Sequence, residues 1–242
     1  MHNSKQTGYA KNVARFELIR EHCRSFGAAY NPARSDLSLA ALDFLLEEGR
    51  GIIEPMRLAL DNYAQAVAAR AHDMNPLEDL IKRSFESLQA SGCSPETLVR
   101  ANAILHQYRG AGKASSDPSD LLAESLAPHS HLHRHTRDTR IEWLDQYLEL
   151  LRSEPLYRPH EPELGLENLE KWRDKHLEHN TKIRAAAIAR RQARNERDRV
   201  VYAPRTGMVA IAAHIKAYVR ATFGPKSREY RAISSLRFIM GK

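Results

Sequence analysis

The stretch EPELGLENLEKWRDKHLEHNTKIRAAAIARRQARNERDRVVYA, from Glu161 to Ala203, decides the fold. Read at the helical step, Leu169, Trp172, His176, Asn180, Ile183 and Ala187 fall within one narrow arc, while Glu167, Glu170, Asp174, Glu178 and Lys182 point away from it. The pattern predicts an amphipathic helix. Pro162 suits its first turn, where a missing N–H costs little, and Pro204 with Gly207 stops it. Roughly 40 residues at ~1.5 Å each make a rod on the order of 60 Å. A rod of that length leaves apolar surface in water unless other helices lie along it.

The remaining chain supplies those helices. Val13, Phe16, Ile19 and Cys23 recur at helical spacing, and Phe26-Gly27 ends that helix with a glycine suited to a left-handed cap. Ser35 or Asp36 is the expected cap of a second helix carrying Leu39, Leu42, Leu45 and Leu46. Gly49, Gly51 and Pro55 interrupt it, yet Met56, Leu58, Leu60, Tyr63 and Val67 resume the pattern, which predicts one long kinked helix over 35–73, with a short break as the alternative. Asn75-Pro76 and Ser94-Pro95 share a start signal, a capping side chain followed by proline, and predict helices over 76–90 and 95–108. Gly, Ser and Ala with Pro118 make 110–136 an exposed loop, with a short helix around Leu121–Leu126. Ile141, Leu144, Tyr147, Leu148 and Leu151 predict a helix over 140–151, and Met208, Ile211, Ile215, Tyr218, Val219 and Phe223 another over 206–223. No stretch alternates at period two for long enough to make a sheet. The expected fold is all-α: a single elongated domain over 1–242, a helical bundle built on two long antiparallel helices with shorter helices packed along them.

Charge is distributed unevenly. From Lys182 to Lys242 there are 15 Lys and Arg against 3 Asp and Glu, a net of +12; the rest of the chain has 22 against 27, a net of −5, and together they give the chain's +7. The apolar stripe of the rod turns cationic at Arg190, Arg194 and Arg197. Arg184, Arg190, Arg191, Arg194, Arg197, Arg199 and Arg205 form the candidate binding face. Guanidinium groups on a helix track phosphates, with a steep salt dependence, or pair with carboxylates. Glu196 and Asp198 break the run, Tyr202, Tyr218 and Phe223 sit at core spacing, and no helix-turn-helix pattern is present. Carboxylates such as Glu47, Glu48, Asp61 or Asp73, in the same molecule or another, are the expected partners.

Other chemistry finds little support. His129, His131, His133 and His135 are candidate metal ligands, but the cluster holds no Cys, Asp or Glu, and Arg134 and Arg137 repel a cation. His176 and His179 lack the His-Glu-x-x-His spacing of a zinc-protease helix. The run Gly110-Ala111-Gly112-Lys113-Ala114-Ser115 fails as a phosphate loop: Gln107 stands where its first glycine belongs and Ala114 where a hydroxyl would hold magnesium. Gly-x-Ser-x-Gly is absent, and Cys23 beside His22 is adjacent only in sequence. Two cysteines, Cys23 and Cys93, cannot form a disulfide framework and suit a reducing compartment. The N-terminus has no signal-peptide apolar run, and no stretch reaches membrane-spanning length. A cytoplasmic protein without enzymatic activity, cofactor, metal, membrane partner or small-molecule substrate is the expectation.

Phe26-Gly27-Ala28-Ala29-Tyr30-Asn31-Pro32, Ser153-Glu154-Pro155-Leu156-Tyr157, Arg194-Asn195 with Tyr202 and Thr206-Gly207, and Tyr218 through Phe223-Gly224 to Ser227 and Tyr230 are spread over most of the chain. In these stretches the sequence resembles an uncharacterised family of all-helical bacterial hypothetical proteins. The resemblance implies an all-α fold and a bacterial, cytoplasmic setting, and it implies no catalytic residue. The histidine-rich segment 129–135 and the Gly49–Pro55 break depart from it. Two functions are expected from the residues themselves. The first is a structural protein that associates with itself, as a homo-oligomer or polymer, through charge-complementary helical surfaces. The second is a nucleic-acid-binding helical bundle that uses its basic C-terminal third.

Overall fold

The computed structural model describes residues 8–110 and 137–240. These residues are helical, with no strand among them, so the fold is all-α. The α-helices are α1 (Gly8–Ser25), α2 (Leu39–Gly51), α3 (Ile53–Ala90), α4 (Pro95–Gly110), α5 (Arg137–Ser153), α6 (Leu166–Arg197), α7 (Met208–Phe223) and α8 (Arg228–Ser234). The rod expected over 161–203 is shorter at its start: Pro162 opens a separate 3-10 turn, Pro162–Leu164, Gly165 is extended, and α6 begins at Leu166 and runs without interruption into a π-helical segment, Asp198–Tyr202. The loop expected over 110–136, its short helix and His129, His131, His133 and His135 lie outside the described residues, except for Gly110, which ends α4.

Three expectations about the first half are corrected. The second helix is capped by Ser38, whose hydroxyl accepts from Ala41 N at 3.3 Å, because Ser35 and Asp36 are used in a preceding 3-10 turn. The long kinked helix is two helices that meet at Ile52, between Gly51 and Ile53. Pro76 starts nothing and lies inside α3. A mid-helix proline removes an N–H and crowds the previous turn, at a cost of about 3 kcal/mol. Met56 and Tyr63 before it and Leu77, Leu80, Ile81 and Leu88 after it are buried, and that burial on both sides outweighs the cost.

The chain divides into two compact units, residues 1–61 with 188–242 and residues 62–187, so α3 and α6 each begin in one unit and end in the other. The core of unit 1 holds Phe16, Ile19 and Cys23 from α1, Leu42 and Leu46 from α2, Val200 and Val201, and Met208, Ile211, Ile215 and Val219 from α7. In unit 2 the core holds Leu77, Ile81 and Leu88 from α3, Ala101 and Leu105 from α4, Leu144, Tyr147 and Leu151 from α5, and Leu169 from α6. There α3 and α6 pack antiparallel: Arg70 bonds to Asn180, Asp73 to His176 and His179, and, in the turn that leads into α6, Glu163 to Arg83.

One structural element occurs twice, 127 positions apart. Tyr30-x-Pro32 with Leu37-x-Leu39-x-x-Leu42 matches Tyr157-x-Pro159 with Leu164-x-Leu166-x-x-Leu169. Tyr30 Oη donates to Leu37 O at 2.8 Å, and Tyr157 Oη donates to Leu164 O at 2.7 Å. Each pair encloses a 3-10 turn. Its flanking residues have nearly the same dihedrals, −77°, 120° at Arg34 against −74°, 116° at Glu161, and −63°, 150° at Ser38 against −63°, 148° at Gly165. The Arg24–Asp43 ion pair has an analogue in Arg152–Glu170, in which Glu170 is the counterpart of Asp43 and Arg152 lies one position past that of Arg24. Every position from 54 to 72 has the same burial class as its counterpart from 181 to 199. Burial therefore places α2–α3 and α6 in register, and each unit contains one copy of the tyrosine-closed turn.

Candidate functional site

Helix α6 carries its apolar arc and the arginines Arg190, Arg194 and Arg197 on one stripe, as the spacing predicts. Leu169, His176, Asn180 and Ile183 are buried, and the same stripe carries Arg190 inward, leaving it 5% exposed. Arg194, one turn on, is half-buried. Burial, then the like charges of Arg190 and Arg197, depress its affinity for a proton. Arg197 pairs with Asp198 at 2.7 Å and stacks over Tyr202, its guanidinium carbon 5.8 Å from the ring centre. Arg199 is held by Glu48 at 2.8 Å and Glu196 at 2.7 Å. In unit 2, Arg184 binds Asp138 at 2.7 Å. Arg191 and Arg205 are exposed and make no ion pair among the described residues. Of the carboxylates expected as partners, Glu48 takes up an arginine of this set.

The arrangement with more chemical content lies within unit 2 and centres on Asp73. His179 Nε2 meets Asp73 Oδ2 at 2.7 Å, Lys175 Nζ meets the same oxygen at 3.0 Å, and His72 Nδ1 meets Oδ1 at 3.3 Å. The main-chain carbonyl of Asp73 accepts from His176 Nε2 at 3.2 Å. Pro76 lacks the N–H that would bond the His72 carbonyl, one residue before Asp73. Beside the pair, Arg70 Nε donates to Asn180 Oδ1 at 3.0 Å, and Asn180 Nδ2 donates to Asp138 Oδ1 at 3.4 Å. Trp172 closes one side, with its ring centre 6.5 Å from that of His176 and Lys175 Nζ 4.7 Å above it.

The hydrogen bonds fix the protonation pattern. A carbonyl and a carboxylate oxygen only accept, so both imidazoles carry a proton on Nε2 and present Nδ1 elsewhere. Burial alone would raise the Asp73 carboxyl, but hydrogen bonds from Lys175, His179 and His72 outweigh it and hold the group well below the usual carboxylate range. The His176 ring is 1% exposed, and burial lowers its affinity for a proton. Lys175 occupies an oxygen that a cation would need, and among the described residues no three His, Cys, Asp or Glu side chains are arranged to hold a metal ion.

The sequence placed His176 and Asn180 on the buried arc but not the partners that meet them there. Asp73 is 103 positions from His176, and its pairing depends on how α3 and α6 pack. The only local signal was the pair of polar residues within an otherwise apolar stripe. Comparison with protein-family models, with curated proteins and with solved structures finds no match. No helix among the described residues is long and apolar enough to cross a membrane.

Proposed function

We propose that this chain is a non-enzymatic structural protein that associates with copies of itself through opposite charge on its two units. One observation carries the reading. Unit 1 holds 21 Lys and Arg against 11 Asp and Glu, a net of +10, whereas unit 2 holds 16 against 19, a net of −3. The charge asymmetry of the sequence thus follows the division into compact units, and the basic unit of one copy complements the acidic unit of the next. Complementary potentials of this kind steer encounter and fix orientation. The arginines of the basic face support a protein partner over a phosphate backbone, since Arg184, Arg197 and Arg199 already bind carboxylates. Arg191 and Arg205 remain exposed for a second copy.

Light scattering behind a sizing column tests the reading on untagged protein at low and high salt. Multimers at low salt that dissociate as salt rises are expected, because screening weakens exposed charge pairs. A monomer at both salts overturns it. A gel-shift titration with random duplex and single-stranded oligonucleotides separates the nucleic-acid alternative: a shift at low salt with no self-association favours that alternative, and the self-association reading expects none.

A further inference from the structure

The repeated element allows the two units to be compared position by position. In unit 2 the crossing of α3 and α6 carries Asp73, His176, His179 and Asn180. The corresponding positions in unit 1, with the same 127-residue offset, are Val200, Gly49, Ile52 and Ile53. Val200 is 1% exposed and Ile52 is 7% exposed, both within the unit 1 core. At Gly49 the vacant space is filled by Met208, whose terminal methyl lies 2.5 Å from where a Cβ would stand. One chain therefore builds the same crossing twice, once apolar and once with a hydrogen-bonded His–Asp set. Burying imidazole, amide and carboxylate groups costs desolvation that aliphatic side chains do not incur, so cohesion of the crossing does not require them.

We propose that His176 makes unit 2 acid-sensitive: with the His176 ring neutral, His176 and His179 together clasp α6 to α3 at Asp73, and protonation of His176 loosens that clasp while unit 1 is unaffected. The geometry supplies each part. Both rings donate Nε2–H to Asp73, one to its carbonyl and one to its carboxylate, and the rings lie 5.9 Å apart, edge to face. A further proton on His176 must go to Nδ1, inside a site almost closed to water. The charged and titratable groups around it are Arg70, His72 and Asp73 from α3, Lys175 and His179 from α6, and Asp138 from α5 through Asn180. Burial disfavours the second proton most. The Asp73 carbonyl favours it, Arg70 and His179 oppose it, and the Asp73 charge favours it. The fold thus prefers the neutral ring. Its contribution to stability is complete above the unfolded histidine value of about 6.5 and declines as pH falls below it.

Hydrogen exchange read by mass spectrometry on the full chain tests this at about pH 7.5 and about pH 5.5, with rates corrected for intrinsic exchange. Peptides from 62–90 and 166–187 are expected to exchange several-fold faster at the lower pH, and those from α1, α2 and α7 to keep their rates. His176→Gln, which retains an N–H donor and does not titrate, removes the acid effect, whereas His179→Gln retains it. Equal exchange at both pH values, or a full acid effect in H176Q, overturns the proposal. If H176Q does not fold, the ring resonances of the unaltered protein decide. His176 is expected to titrate below the unfolded histidine value of about 6.5. Titration of His176 at or above that value overturns the proposal.

Discussion

His179 and Asp73 stand 106 positions apart and meet at 2.7 Å, imidazole Nε2 donating to carboxylate Oδ2. The contact joins the two long helices within unit 2, and Lys175 and His72 bring two more donors to the same carboxylate. Asp73→Asn keeps the shape but removes the charge these donors address. It is expected to destabilise the protein by about 1–3 kcal/mol in urea unfolding near neutral pH. The pH dependence has a definite sign. A carboxyl held low by the fold contributes stability above its unfolded value, about 3.9, and loses it as pH falls through the folded value. The unaltered protein should therefore lose stability more steeply than D73N below about pH 4. Parallel curves would contradict the assignment.

The tyrosine-closed turns give a paired test. Tyr30→Phe and Tyr157→Phe each remove one buried donor to a leucine carbonyl, at 2.8 Å and 2.7 Å. Each variant is expected to lose about 1–1.5 kcal/mol, with the two losses similar because the turns share geometry and register. Urea midpoints of the two variants check this. A large loss in one and none in the other would show that the turns are not equivalent.

Gly207 sits where backbone packs on backbone. A Cβ there would lie 2.5 Å from Ala203 N, 2.8 Å from Ala203 O and 2.9 Å from Val201 O, none of them an atom that can swing aside. Gly207→Ala is therefore expected to cost about 2 kcal/mol or more, although alanine favours helix elsewhere. Thermal unfolding measures it. An unchanged midpoint would mean that the 203–207 turn relaxes freely.

Much of this fold is legible in the sequence, for reasons that differ from element to element. The rod ending at Ala203 announces itself because its apolar arc repeats over many turns, and Leu169, His176, Asn180 and Ile183 are buried as that arc requires. The left-handed Gly27, φ 59°, ends α1 where a glycine after Phe26 suggests. Pro76 misleads because proline after asparagine carries the same local signal at a helix start as inside a helix that tertiary burial holds together. Arg190 misleads in the opposite way: its position on the stripe is right, but a guanidinium on an apolar arc reads as an exposed charge when it is in fact buried. The duplicated turn is visible as Tyr-x-Pro followed by the leucine spacing, yet an offset of 127 positions and few shared identities obscure it. The Asp73 network cannot be read at all before α3 and α6 are packed together.

Charge reversal on the basic unit is the most direct test of charge-sorted association. Arg191→Glu with Arg205→Glu changes two exposed side chains without an ion pair among the described residues, so the fold should tolerate both. Sedimentation equilibrium at low salt should find the unaltered chain multimeric and the double variant shifted toward monomer. Equal mass for the two proteins, or a monomeric unaltered chain, would contradict the account.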